Sequence, residues 1–146
     1  MKFDYNALNF ETLDANANSS LDIFFNQNGL TFSRRVAEEL GFPAHILCLL
    51  DAKNRVFAIR ACRKDESRAF KFSKPKEEQK STICLTSKNL LDPLRKCTAD
   101  IWQKGVRYKV TGFWVPDAKT MCFDLTEGEP QRYFNGAAIE ETENDE

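Results

Sequence analysis

The 146-residue chain predicts one α+β domain, an antiparallel sheet with helices on one face. Three observations carry that prediction. The first is an internal duplication. Asp51-Ala52-Lys53-Asn54-Arg55-Val56-Phe57-Ala58-Ile59 aligns with Asp117-Ala118-Lys119-Thr120-Met121-Cys122-Phe123-Asp124-Leu125, sharing Asp-Ala-Lys and the Phe six positions after the Asp. Upstream, residues 31–40 align with residues 85–94, and the offset between copies grows from 54 to 66. Two copies are too few for a solenoid and predict a pseudo-two-fold domain. The second is a series of short β-rich runs separated by turn residues. The third is a pair of apolar stripes at helical spacing, one in each copy.

Residues 1–20 are polar around Phe3, Tyr5, Leu8, Phe10 and Leu13, apolar groups for a short edge element or arm. Residues 21–25 read as a strand, Asn28-Gly29 as a turn, and residues 30–32 continue extended. Ser33 is the expected N-cap of a helix ending at Leu40, with Gly41 just past it and Pro43 as a stop. Phe32, Val36 and Leu40 form its stripe. Residues 46–50 and 55–62 are strands joined by Asp51-Ala52-Lys53-Asn54. There Asp bonds its own backbone and Asn takes the left-handed conformation that hairpin loops need. Residues 68–72 form a further short strand, so the first repeat spans about residues 21–72.

Residues 73–80 are a charged connector, read as a hinge. The second repeat, about residues 81–126, opens with a strand at 82–85. Asp92-Pro93 reads as an N-cap followed by Pro at the first helical position, and Gly105 closes that helix. Residues 106–115 and 120–126 form the second hairpin. The domain is placed at residues 1–126, with 127–146 as an acidic, flexible tail.

Composition narrows the class. The chain is 42% apolar and 29% charged, as expected of a soluble globular protein. Its longest apolar run, residues 44–50, is too short for a bilayer, so no membrane partner is expected. Met1 to Asn6 holds no apolar leader, and the five cysteines are an odd set. Both point to the reducing cytoplasm. The net charge of −1 is unevenly spread. Residues 51–109 hold 16 cations and 7 acids, whereas residues 110–146 hold 2 and 9.

Catalytic and metal chemistry find little support. There is one histidine, His45, and no Cys-x-x-Cys pair, so neither a metal nor another cofactor is expected. His45 and Cys48 lie three apart on one strand, which points them to opposite faces. Glu38 and Glu39 diverge on a helix, Glu77 and Glu78 sit in the connector, and Asp51 and Asp117 hold turns. No glycine-rich phosphate loop occurs. A non-enzymatic protein is therefore expected.

What remains is an unusual placement of cations. Arg34 and Arg35 open the first helix, and Lys88 falls on the Arg34 position of the second copy. The helix dipole disfavours positive charge there by a few tenths of a kcal/mol. Arg55, Arg60, Arg63, Lys64, Arg68 and Lys71 extend the positive surface along the strands. Phe70 and Phe72 lie between them, available to stack on bases or to fill the core. These nine cations are the candidate nucleic-acid-binding residues.

Residues 29–60 resemble the AbrB-type swapped-hairpin DNA-binding element. The matching run is Gly29-Leu30-Thr31-Phe32-Ser33, the short helix 34–40, Gly41-Phe42 and the hairpin 46–60. Ser33 stands where that family has Pro, and Ala44-His45 where it has Gly-Asp. The duplicated layout is also similar in outline to the TATA-binding-protein sheet. The first resemblance implies DNA binding and a regulatory role; the second is one of layout and carries no residue across. Nucleic-acid binding is thus the leading expectation. The alternative is a protein-interaction or assembly subunit, including a homodimer, that uses a free sheet face or edge. A small-molecule enzyme ranks third.

Overall fold

A computed structural model describes residues 4–11 and 20–131. The sheet strands are β1 (Asp22–Phe25), β2 (Leu30–Phe32), β3 (His45–Asp51), β4 (Val56–Ala61), β5 (Phe70–Lys71), β6 (Ile83–Leu85), β7 (Arg107–Val115), β8 (Thr120–Asp124) and β9 (Glu129–Gln131). Two α-helices, α1 (Arg34–Leu40) and α2 (Lys88–Thr98), interrupt them. Every pairing is antiparallel, in the order β5-β3-β4-β8-β7-β1-β2-β6. Strand β9 adds to the first residues of β7. The α+β class is therefore the one expected.

Strand β7 joins the two halves of the sheet. Its first residues pair with β1 and β9, and its last four pair with β8. The sheet curls about one core, because Phe32 of β2 meets Phe72, just past β5, edge to face at 5.1 Å. Ile23 and Val110 from one half share that core with Ile59 and Phe123 from the other. Val36 and Ala37 of α1 and Leu90, Leu91 and Leu94 of α2 seal it. Burying each such side chain contributes about 1.5–3 kcal/mol. Phe70 and Phe72, both partly buried, pack against this core.

Helix α1 starts and stops where its sequence says. Gly41 adopts φ 86° and closes it with a backbone bond to Ala37. Ser33 holds the N-cap position, but its hydroxyl donates to the Ser20 carbonyl instead of capping the helix. Helix α2 departs from expectation. It begins at Lys88 after Ser87, so Pro93 lies inside it, and it ends at Thr98. Burial of Leu90 and Leu91, 5% and 4% exposed, outweighs the backbone bond that Pro93 cannot donate. In the β3–β4 loop, Asp51 accepts from the Asn54 amide N–H and side chain, as expected. The left-handed residue, however, is Arg55, at φ 58°.

Residues 73–80, read as a hinge from their charge, form a pinned turn. Ser73 and Gln79 are buried, and Ser73 donates to the Pro43 carbonyl at 2.6 Å. The Gln79 side chain accepts from Lys74 N–H at 2.8 Å and donates to Ser81 at 2.9 Å. At the far end, β9 carries the paired sheet past residue 126. Phe3, Leu13 and the expected acidic run at 140–146 lie outside the described residues. Among the described residues, no helix is long and apolar enough to cross a membrane.

Candidate functional site

Five of the nine predicted cations already have protein partners. Arg34 Nε donates to the Gln79 carbonyl at 2.6 Å, and its guanidinium lies 4.9 Å from the Phe42 ring. Arg35 pairs with Glu39 at 2.8 Å, and Arg55 with Asp100 at 2.6 Å. Arg63 meets Asp65, and Arg68 meets Glu66, in exposed pairs worth little to stability. The remaining four, Arg60, Lys64, Lys71 and Lys88, make no ion pair among the described residues. Arg60 and Lys71 share one side of the sheet, opposite Leu47 and His45 of β3. Lys88 opens α2, beyond β6 at the other end of the strand order. The unpaired cations therefore do not form one cluster.

Strand alternation splits the four central strands into two faces. Ile46, Phe57, Ile59, Met121 and Phe123 point into the core and are at most 1% exposed. The outer face is sorted into rows by register. Leu47 and Arg60 lie opposite each other, continued by the Thr120–Val115 pair on the next two strands. Leu49, Ala58, Cys122 and Phe113 form one continuous row across β3, β4, β8 and β7. Asp51, Val56 and Asp124 form the next row, and it continues toward Asp22 through Thr111, which donates to the Asp22 carboxylate at 2.7 Å.

The outer face thus has an apolar centre between a basic rim, Arg60 with Lys71, and an acidic rim, Asp51 with Asp124. Phe113 is 52% and Leu49 37% exposed at the two ends of the apolar row, with buried Ala58 and half-buried Cys122 between them. The other half of the same sheet has nothing comparable. Its outer row is Cys84, Thr31, Phe24, Lys109 and Glu129, with Lys109 and Glu129 paired. Sequence reasoning missed this patch. Each strand shows the alternation, but only the register places Leu49 and Phe113, 64 residues apart in sequence, in one row.

The electrostatics of the acidic rim are set locally. The Asn54 side chain and backbone N–H hold the Asp51 carboxyl below the usual range, so it stays ionised through neutral pH. Arg55 does the same for Asp100. The thiols behave oppositely. Burial, with a smaller contribution from Cys62, pushes Cys48 up to about 12, and it lies on the core side of β3 while His45 lies outside. The two cannot act as a nucleophile and base. No group of three His, Cys, Asp or Glu suited to a metal occurs among the described residues.

A second feature lies away from this face. A cavity of about 490 Å³ opens between the end of α2, the β1–β2 turn and the loop leading into β7. Comparison of the chain with protein-family models, with characterised proteins and with solved structures finds no match.

Proposed function

We propose that this protein is a non-enzymatic assembly subunit that docks a second copy of itself through the outer face of β3, β4, β8 and β7. The observation carrying this reading is the charge-sorted order of that face: cation, apolar row, carboxylates. Turn a second copy about an axis lying in the interface along the Leu49–Phe113 row. The apolar rows then meet, and each basic rim faces an acidic one. Arg60 falls opposite the other copy's Val56, with Asp51 and Asp124 about one strand spacing, ~4.8 Å, to either side. A face that complements itself in this way suits an isologous two-fold pair.

Size sets the strength. Three rows about 7 Å apart on four strands about 4.8 Å apart give roughly 400 Å² per copy once side chains are counted. The total of roughly 800 Å² lies below the ~1,200 Å² of stable complexes, so the pair is weak and reversible. Sedimentation velocity at about 10 to 500 μM is the test. We expect a concentration-dependent dimer that Phe113→Glu abolishes and that Arg60→Glu weakens about tenfold. A monomer throughout, or a dimer indifferent to Phe113→Glu, refutes the reading.

The order of elements supports a duplicated origin for this sheet. Each half runs strand, helix, long hairpin, short strand: β2-α1-β3-β4-β5 and β6-α2-β7-β8-β9. Phe57 and Phe123, equivalent in the two Asp-Ala-Lys segments, lie opposite each other where β4 pairs with β8. We read the halves as pseudo-two-fold copies, and the docking face as built from both.

A second reading is nucleic-acid binding along the basic rim, favoured by Arg60, Lys64 and Lys71 having no acidic partner among the described residues. Its signature is fluorescence anisotropy with duplex and single-stranded DNA that falls steeply between about 50 and 200 mM salt. Equal signal at both salts sets it aside.

A further inference from the structure

The cavity at the end of α2 has a composition unlike the rest of the chain. Phe25, Trp102 and Tyr108 line it, and Arg95 and Lys104 are its charged residues. No carboxylate is among its described lining residues, in a chain whose acids outnumber its lysines and arginines. Its volume of about 490 Å³ falls within the range of small-molecule sites, about 300–1,000 Å³.

Its aromatic wall is preformed. The Trp102 and Tyr108 rings stack at 4.7 Å and 6° between planes, and Phe25 meets Trp102 edge to face at 4.8 Å. Trp102 remains half-buried, open to the cavity, whereas Phe25 and Tyr108 are each 7% exposed. Arg95 joins α2 to the β1–β2 turn beside the cavity by donating to the Gln27 carbonyl. The Tyr108 oxygen accepts from Gln103 N–H at 2.7 Å, yet its own proton has no acceptor among the described residues. A phenol with a donor that the described residues leave free, lining an aromatic and cationic cavity, suits an acceptor on a ligand.

We propose that this cavity binds a small planar aromatic molecule carrying one anionic group. The ring lies against the Phe25–Trp102 wall. The anion takes the Tyr108 proton and is neutralised by Arg95 and Lys104. The site is separate from the docking face and does not depend on self-association.

The test is isothermal titration of the full chain with 2-naphthoate and with its neutral isostere 2-naphthamide. The expected result is saturable one-to-one binding of the acid, with the amide bound about tenfold more weakly, as loss of a charged hydrogen bond requires. Lys104→Ala, at an exposed position, is expected to weaken the acid about five- to tenfold and leave the amide unchanged. Tyr108→Phe keeps the ring stack, with circular dichroism as the check on folding, and is expected to weaken the acid by a similar factor. No saturable binding of naphthoate at millimolar concentration overturns the proposal. So does binding that treats acid and amide alike, or an acid affinity that neither variant changes.

Discussion

Replacing Arg34 by Met removes the tie between α1 and the pinned turn at residues 73–80. The guanidinium donates to the Gln79 carbonyl at 2.6 Å, in a half-buried site, and more distantly to Lys76 at 3.4 Å. A hydrogen bond from a charged donor contributes about 1.5–3 kcal/mol, and the longer contact adds little. Stacking on Phe42 contributes about 0.5–1 kcal/mol, part of which Met retains by packing on the ring. The sum predicts a loss of about 2–3 kcal/mol. For a domain of this size that lowers the midpoint of thermal unfolding by roughly 6–12 °C. Arg34→Lys keeps the charge but loses the planar fork, and falls between Met and the parent. The assay is thermal and urea unfolding by circular dichroism, with DNA anisotropy run alongside on the same samples. A loss under about 0.5 kcal/mol refutes the reasoning. A salt-dependent loss of DNA affinity without a change in stability returns Arg34 to the anion-binding role its sequence position suggested.

Other outcomes follow from the same contacts. A Cβ on Gly112 would sit 2.5 Å from the Phe123 ring, which is fully buried and stacked on Phe57, so the ring has little room to yield. Gly112→Ala is therefore expected to cost about 1–3 kcal/mol in urea unfolding, and Phe123→Leu in the same chain to recover part of it. With its thiol pushed up to about 12, Cys48 should react with iodoacetamide at pH 8 about 1,000-fold more slowly than an ordinary thiol. Peptide mass spectrometry should show the exposed Cys84 modified first. The carboxyls of Asp51, Glu66 and Asp100 lie below their ordinary values, through bonds from Asn54, Arg68 and Arg55 respectively. A depressed carboxyl binds fewer protons folded than unfolded. Its stabilising contribution is thus complete above the ordinary carboxyl range and is lost as pH falls through the depressed values. The urea midpoint should fall on acidification toward about pH 3, and Asp100→Asn should make that fall shallower.

Much of the fold was legible because its signals are local. The strands at 21–25, 46–50, 55–62 and 106–115 announce themselves by β-rich composition, and Gly41 by its place past an amphipathic stripe. The start of α2 was not legible. Asp92-Pro93 is a strong local signal for a helix start, and it is overridden by a core that takes in Leu90 and Leu91. The connector at 73–80 failed for a related reason. Its charge says solvent, but Gln79 is buried by bonds to its own turn and to Arg34.

The candidate site divides along the same line. The basic middle of the chain and the pairing of Asp51 with its own loop were legible, because each depends on residue identity or near neighbours. That Arg34 and Arg55 are occupied, that Leu49 and Phe113 share one row, and that Phe25 joins Trp102 in a cavity wall were decided only by tertiary structure. Those relations join residues 45 to 77 positions apart, from Arg34 with Gln79 to Phe25 with Trp102. Side-chain periodicity says which residues share a strand face, but the register between distant strands arises from burying one common core. No stretch of sequence carries that information by itself.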